Sequence, residues 1–217
     1  MIGFVTGLSA EARLLTRFNV LVEAGGGTPG GAQQAALRAI ARGATILVSF
    51  GLAGGLDPGL RPGSLLIPNW IVSGQTRYRC DPELVRHMGG ATVERLTGAD
   101  AVAITSAEKA VLYETTAAAA VDLESVGVAR VAALRQIPFA AMRAIADPAD
   151  RALPPASLVA LDDRGRIVIS RVIASVMRRP GQIVDLIRLA RDASAARRTL
   201  SRQAALYCQR EDDGDVI

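Results

Sequence analysis

Ser49-Phe-Gly-Leu-Ala-Gly-Gly-Leu-Asp-Pro-Gly-Leu-Arg-Pro-Gly-Ser64 joins the end of an apolar run, a glycine turn and a Pro-Gly approach to a second run. The run Thr45–Phe50 has the length and apolar character of a strand buried on both faces. Glycines at 51, 54 and 55 let backbone pass close to a ligand, because no Cβ stands in the way. The alternation repeats outward. Further strands are expected at Ile2–Thr6, Val20–Glu23, Ser64–Val72, Ala101–Thr105, Ala119–Val121 and Pro138–Ala146. Helices are expected at Ala10–Arg17, Gly31–Arg42, Pro82–Met88, Ala107–Thr115 and Ser125–Gln136, with N-caps at Ser9, Asp81 and Ser106 and a left-handed cap at Gly43. Short apolar runs alternating with amphipathic helices predict an α/β chain with a buried, largely parallel sheet.

The chain has 217 residues, half of them hydrophobic and 4% aromatic, with 25 basic and 21 acidic side chains. That length suits one domain, residues 1–217. Within it a sheet core spans 1–150 and a helical cover spans 151–210. Pro148, Pro154 and Pro155 mark a loop, Arg164-Gly165 a turn, and helices follow at Ser170–Arg178 and from Gly181 to about Tyr207. The acidic tail Glu211–Ile217 is expected to fray.

Lys109 is the only lysine, and arginines are scattered rather than blocked. Without aromatic platforms for unpaired bases, nucleic acid is not expected as a partner. Cys80 and Cys208 are too few for a disulfide framework, which suits a reducing cytoplasm. With His87 the only histidine, neither a zinc cluster nor a histidine-rich metal motif is expected. Chemistry is left to carboxylates, arginines and backbone amides. No secretory leader is expected, since Met1 is followed at once by a strand-like run, and no apolar stretch is long enough to span a bilayer.

Gly25, Gly27 and Gly30 match G-x-G-x-x-G, but no Asp or Glu lies between Glu23 and Asp57 to hold a ribose, so a dinucleotide site is not expected. The loop is either a tight turn or an anion-facing row of amides. In open α/β sheets ligands gather beyond the carboxyl ends of strands. There the sequence places Gly7-Leu-Ser9, the 51–57 turn, Asp122-Leu-Glu-Ser125 and Asp147-Pro-Ala-Asp150.

Three stretches resemble the purine nucleoside phosphorylase and nucleosidase superfamily. The 51–56 turn is similar to its G-S-A-G-G-L-like turn, Ala120-Val-Asp-Leu-Glu-Ser125 to A-V-E-M-E-A, and Met142-Arg-Ala-Ile-Ala-Asp-Pro-Ala-Asp150 to R-A-I-S-D-x-A-D. The resemblance covers roughly Gly3 to Asp150. It implies a single-domain, three-layer α/β/α fold with a central twisted mixed sheet, no cofactor, and a homodimer. It also implies that Asp147 protonates the leaving purine at N7 and that Glu124 accepts hydrogen bonds from the ribose hydroxyls. Leu123 would lie against the sugar, Ala53 and Gly54 would face the base with backbone, and Ser106 and Lys109 would close over it. Without the resemblance, Asp147 reads as a cap before Pro148, Glu124 as a carboxylate at a helix N-terminus and Lys109 as a solvated helix charge.

The superfamily divides by nucleophile, water or phosphate. Its nucleosidases carry a water-activating glutamate in a G-A-M-E-E-E-like turn. Anchored on Gly7, that position is Ala12, and Glu11 stands one residue early, rotated about 100° on a helix. This favours inorganic phosphate as co-substrate, with Gly7, Ser9 and Arg13 as its cradle. The C-terminal stretches, including Arg178-Arg-Pro-Gly-Gln-Ile183, resemble the hopanoid-associated phosphorylases. That resemblance implies adenosylhopane as substrate and release of adenine in hopanoid biosynthesis. Val172, Ile173, Val176 and Met177, with Ile183, Leu186, Ile187 and Ala190, form apolar stripes. They read as core or dimer contact, as a substrate channel, or as a peripheral membrane contact. Trp70, Tyr78 and Arg79 are candidates for lending a residue to a neighbouring subunit. The competing readings are a hydrolytic nucleosidase of the methylthioadenosine/adenosylhomocysteine type and a nucleoside-binding protein without turnover.

Overall fold

The computed structural model describes residues 1–158 and 168–212. Its strands are β1 (Ile2–Thr6), β2 (Leu21–Ala24), β3 (Ile46–Gly55), β4 (Leu65–Leu66), β5 (Pro68–Ser73), β6 (Thr76–Arg79), β7 (Val93–Gly98), β8 (Ala120–Asp122) and β9 (Phe139–Asp147). Its helices are α1 (Ser9–Ala12), α2 (Pro29–Ala41), α3 (Pro82–His87), α4 (Ser106–Thr116), α5 (Ser125–Arg135), α6 (Pro155–Leu158), α7 (Ile169–Arg178) and α8 (Ile183–Asp212).

The strands form one mixed sheet in the order β2-β1-β3-β8-β7-β5-β6, with β9 beside β3 and β4 beside β9. Layering follows from the two-residue alternation of side chains along a strand. On β1, Gly3 faces Ala39 of α2, whereas the Phe4 ring meets Phe50 and, from α8, Tyr207. Helices α2 and α5 therefore cover one face and α8 the other. Ala32, Ala35, Ala36 and Ala39 of α2 are wholly buried, and such small side chains let helix and sheet approach closely.

β3 decides where the site lies. Its first part is flanked by parallel β1 and β9, while Gly54 and Gly55 pair antiparallel with Val121 and Ala120 of β8. The β3–β9 register slips between Ala53 and Gly54, so the sheet forks there and opens beyond the strand ends.

Several expectations need correction. The strand expected at Thr45–Phe50 continues through the glycine turn to Gly55, because β8 supplies a partner. The run Ser64–Val72 breaks at Ile67, whose N–H donates to Thr92 Oγ1 at 2.8 Å, and Pro68 has no N–H to offer a ladder. Ala101–Thr105 is not a strand; β7 pairs with β5 and β8 in its place. Helix α1 ends at Ala12 rather than Arg17, and the N-caps are Leu8 and Thr105 rather than Ser9 and Ser106. Thr105 Oγ1 accepts from Glu108 N at 3.1 Å in a capping box. The Arg164-Gly165 turn and tail residues 213–217 lie outside the described residues. Among those described, no helix is long and apolar enough to cross a membrane.

Candidate active site

The ends of β3, β8 and β9 open into a cavity of about 650 Å3. Glu124 and Asp147 both line it, as do Ala53, Gly54, Leu123 and Lys109. The rest of the wall is mostly apolar and runs between the C-terminal helices past Val172, Leu186, Leu189 and Ala193.

At one end lies a buried charge cluster built on Arg143. This residue stands opposite Gly51 in the β3–β9 ladder and is wholly buried. Its Nε meets Asp122 Oδ2 at 2.6 Å, and its Nη2 meets Glu124 Oε2 at 3.3 Å and donates to Ser49 Oγ at 2.7 Å. Asp122 also accepts from the Ser125 hydroxyl and, at 3.1 Å, from Ser125 N, fixing the start of α5. A third carboxyl completes the cluster. Glu11, only 2% exposed, accepts from Leu8 N at 2.7 Å and Leu52 N at 2.8 Å, so it joins α1 to the end of β3 just behind the cavity wall.

Two glycines make this packing possible. A Cβ on Gly7 would stand 2.3 Å from Glu124 Oε1; one on Gly51 would stand 2.4 Å from Arg143 Nη1 and 2.7 Å from Glu11 Oε1. Arg143 Nη1 and Glu11 Oε1 thus converge on the Gly51 backbone, and Nη1 has no hydrogen-bond partner among the described residues. Burial is the first cause that pushes the Glu124 carboxyl up to about 8; Arg143 opposes it, while Asp122 and Glu11 add to it. Glu11 is likewise raised by burial against the pull of Arg143 and of amides at Leu8, Leu52 and Gly7.

The other end of the cavity holds Asp147, opposite Gly54 in the ladder. Its Oδ2 lies 2.6 Å from Lys109 Nζ, which also donates to Pro148 O at 2.9 Å and Arg151 O at 2.8 Å. Burial raises the Asp147 carboxyl; Lys109 and Arg151 pull it down and Asp192 pushes it up. Behind Asp147 is a second cavity of about 250 Å3, lined by Asp150, Arg151, Asp185, Arg188 and Asp192 among others. Asp147 and Leu189 line both cavities.

Of the remaining expected residues, Ser106, Gly7, Ser9 and Arg13 do not line the cavity. Ser106 is exposed at the first turn of α4. Arg13 is exposed beyond α1, Gly7 backs onto the Glu124 carboxyl, and Ser9 lies outside the cavity wall, so these three form no cradle around a shared point. Lys109 reaches the cavity, but its ammonium is turned to Asp147 and the loop carbonyls. Trp70, Tyr78 and Arg79 sit on β5 and β6, the Arg79 guanidinium 5.8 Å from the Trp70 ring centroid, away from the cavity.

Arg143 was not among the expected site residues, and Glu11 was weighed and rejected. Arg143 was visible as the one charge inside the apolar run 138–146. Glu11 was set aside by anchoring on Gly7, whereas the short α1 turns its carboxyl inward. Among the described residues no group of three or more His, Cys, Asp or Glu is arranged to hold a metal ion.

The family model of the Phosphorylase superfamily matches residues 13–94 and 72–178. No curated protein matches the chain in sequence. Solved structures with the same fold include a 5′-methylthioadenosine/S-adenosylhomocysteine nucleosidase from Neisseria meningitidis in complex with methylthio-immucillin-A. It shows 16% identity and a TM-score of 0.70 over 97% of this chain and 98% of that one. A futalosine hydrolase from Helicobacter pylori shows 15% identity and a TM-score of 0.66 over 94% and 96%. A putative nucleosidase of the first kind from Borrelia burgdorferi, bound to adenine, shows 13% identity and a TM-score of 0.72 over 97% and 100%.

Proposed function

The chain belongs to the phosphorylase superfamily, and we propose that it cleaves the N-ribosidic bond of an adenine nucleoside with water as nucleophile. The observation that carries this reading is the convergence of Glu11 Oε1 and the unpartnered Arg143 Nη1 at Gly51, beside the Glu124 carboxyl.

The base lies against the Ala53–Gly54 backbone with N7 toward Asp147, and the ribose lies against Leu123 with its hydroxyls on Glu124. As the C1′–N9 bond breaks, its electron pair passes into the purine, which takes a proton at N7 from Asp147. The ribosyl group gathers positive charge that the nearby carboxyls stabilise. Water at the Glu124 end of the cavity bonds to C1′ and loses its proton to the Glu11–Glu124 carboxyl pair behind it, so one water is consumed for each base released.

Phosphate is less well served. The only guanidinium in the cluster is shared with two carboxyls at 2.6 and 3.3 Å and faces a third, a surrounding that repels a dianion. The apolar wall between α7 and α8 supports a large apolar 5′ substituent, the property that adenosylhopane has. Ile173, Met177, Ile183, Val184 and Ile187 are exposed on those two helices and extend the reading to contact with a membrane surface. Exposed Val102, in the cavity wall, and Ile104 two residues on suit a second copy of the chain in a cytoplasmic homodimer.

The test measures free adenine from adenosine and from 5′-alkyl adenosines, with and without inorganic phosphate. Adenine and free ribose without phosphate support the reading. A strict phosphate requirement with ribose 1-phosphate as product replaces water by phosphate, and binding without adenine release under either condition makes the protein a nucleoside binder.

A further inference from the structure

Lys109 is the chain's only lysine, and it is wholly buried. An ammonium removed from water must recover its hydrogen bonds within the protein. It has three N–H donors, and three acceptors surround it: Asp147 Oδ2 at 2.6 Å, Pro148 O at 2.9 Å and Arg151 O at 2.8 Å. No donor is left for a nucleoside, although the side chain lines the cavity. The approach is fixed from both ends. The Thr105–Glu108 capping box sets the first turn of α4, and Leu153 N donates to Ile104 O at 2.8 Å, holding the 148–153 loop against the start of that helix.

Resting on the reading of Asp147 as the acid, we propose that Lys109 is a positioning residue, holding one carboxyl oxygen of Asp147 so that the other presents its proton to the leaving base. The proton on Oδ1 moves to N7, the C1′–N9 pair enters the purine, and Asp147 is left as a carboxylate beside the ammonium. Lys109 gives up no proton. It stabilises the charge that forms on Asp147 and so makes Asp147 the stronger acid. The other charged groups around this carboxyl are Arg151 and Asp150 from the loop, Asp185, Arg188 and Asp192 from α8, and, across the large cavity, Asp122, Glu124 and Arg197.

The experiment compares wild type, Lys109→Met and Lys109→Arg on adenosine and on p-nitrophenyl riboside, whose leaving group departs without a proton. Lys109→Met is expected to lower kcat for adenosine about a hundredfold, within the range for general acid catalysis, with KM changed less than threefold. Without the ammonium the Asp147 carboxyl holds its proton to higher pH, so the alkaline limb of the kcat profile moves upward. The aryl riboside loses at least ten times less, and Lys109→Arg returns the limb toward its wild-type position. Equal losses on both substrates with an unmoved limb would overturn the proposal and leave Lys109 as a loop staple. Should Lys109→Met not fold, Lys109→Gln removes the charge, keeps N–H donors for the carbonyls and gives the same readings. Wild-type protein that releases adenine while the variants show no limb shift defeats this inference alone; wild-type protein that releases none defeats the acid role of Asp147 as well.

Discussion

Arg143 and Lys109 are both wholly buried cations at the margins of one cavity, yet their donors are spent differently. Lys109 has three N–H groups and three acceptors. Arg143 has five N–H donors on three nitrogens; Nε and Nη2 are taken by Asp122, Glu124 and the hydroxyls of Ser49 and Ser125, while Nη1 has no partner among the described residues. A saturated cation fixes the carboxylate it touches and can offer nothing to an incoming molecule. One with an open donor keeps a hydrogen bond for something outside the chain, at a desolvation cost that burial alone does not explain.

Breaking the unsaturated cluster has the largest expected effect. Arg143→Met leaves Asp122, Glu124 and Glu11 facing one another without a counter-charge, and removing one partner of a buried ion pair costs about 3–5 kcal/mol. Chemical denaturation should show that loss, and base release should disappear with it. Asp147→Asn leaves the Arg143 cluster untouched and should lower adenine release by about a thousandfold, while calorimetry still detects nucleoside binding. Loss of binding together with turnover would mean that Asp147 holds the base rather than protonating it.

Glu11→Gln sharpens the comparison further. It keeps an acceptor for an amide but removes the base, and should slow hydrolysis about a hundredfold without introducing a need for phosphate. The same cluster sets a pH dependence of stability. A carboxyl raised by burial to about 8 from an ordinary 4.5 contributes stability that is fully present below 4.5 and lost as pH rises through about 8. The thermal stability of the wild type should therefore fall across that window, and Glu124→Gln should flatten the slope. The smallest effect is expected at exposed Arg13: Arg13→Ala should change base release less than twofold, with or without phosphate. A larger, phosphate-dependent loss would return that residue to an anion site.

The sheet was legible where periodicity is strong. β1 has the expected boundaries, and β9 runs one residue later than expected, because both are apolar and flanked by turn residues. β7 escaped notice because Glu94 and Arg95 interrupt its apolar pattern, and Ala101–Thr105 drew a strand by composition alone. At the site, the strand-exit rule located both Glu124 and Asp147. It could not locate Glu11, whose inward turn depends on a helix of four residues that ends where an amphipathic pattern would continue. Nor could it assign Lys109, because a charge on the first turn of a helix looks solvated until the loop after β9 is seen to fold over it.

Asp147 occupies the partition between a large apolar chamber and a small polar one. A guest that plugs the larger chamber still leaves the carboxyl a back door onto water and charged neighbours. The carboxyl thus has one side on the apolar chamber and the other on charged neighbours.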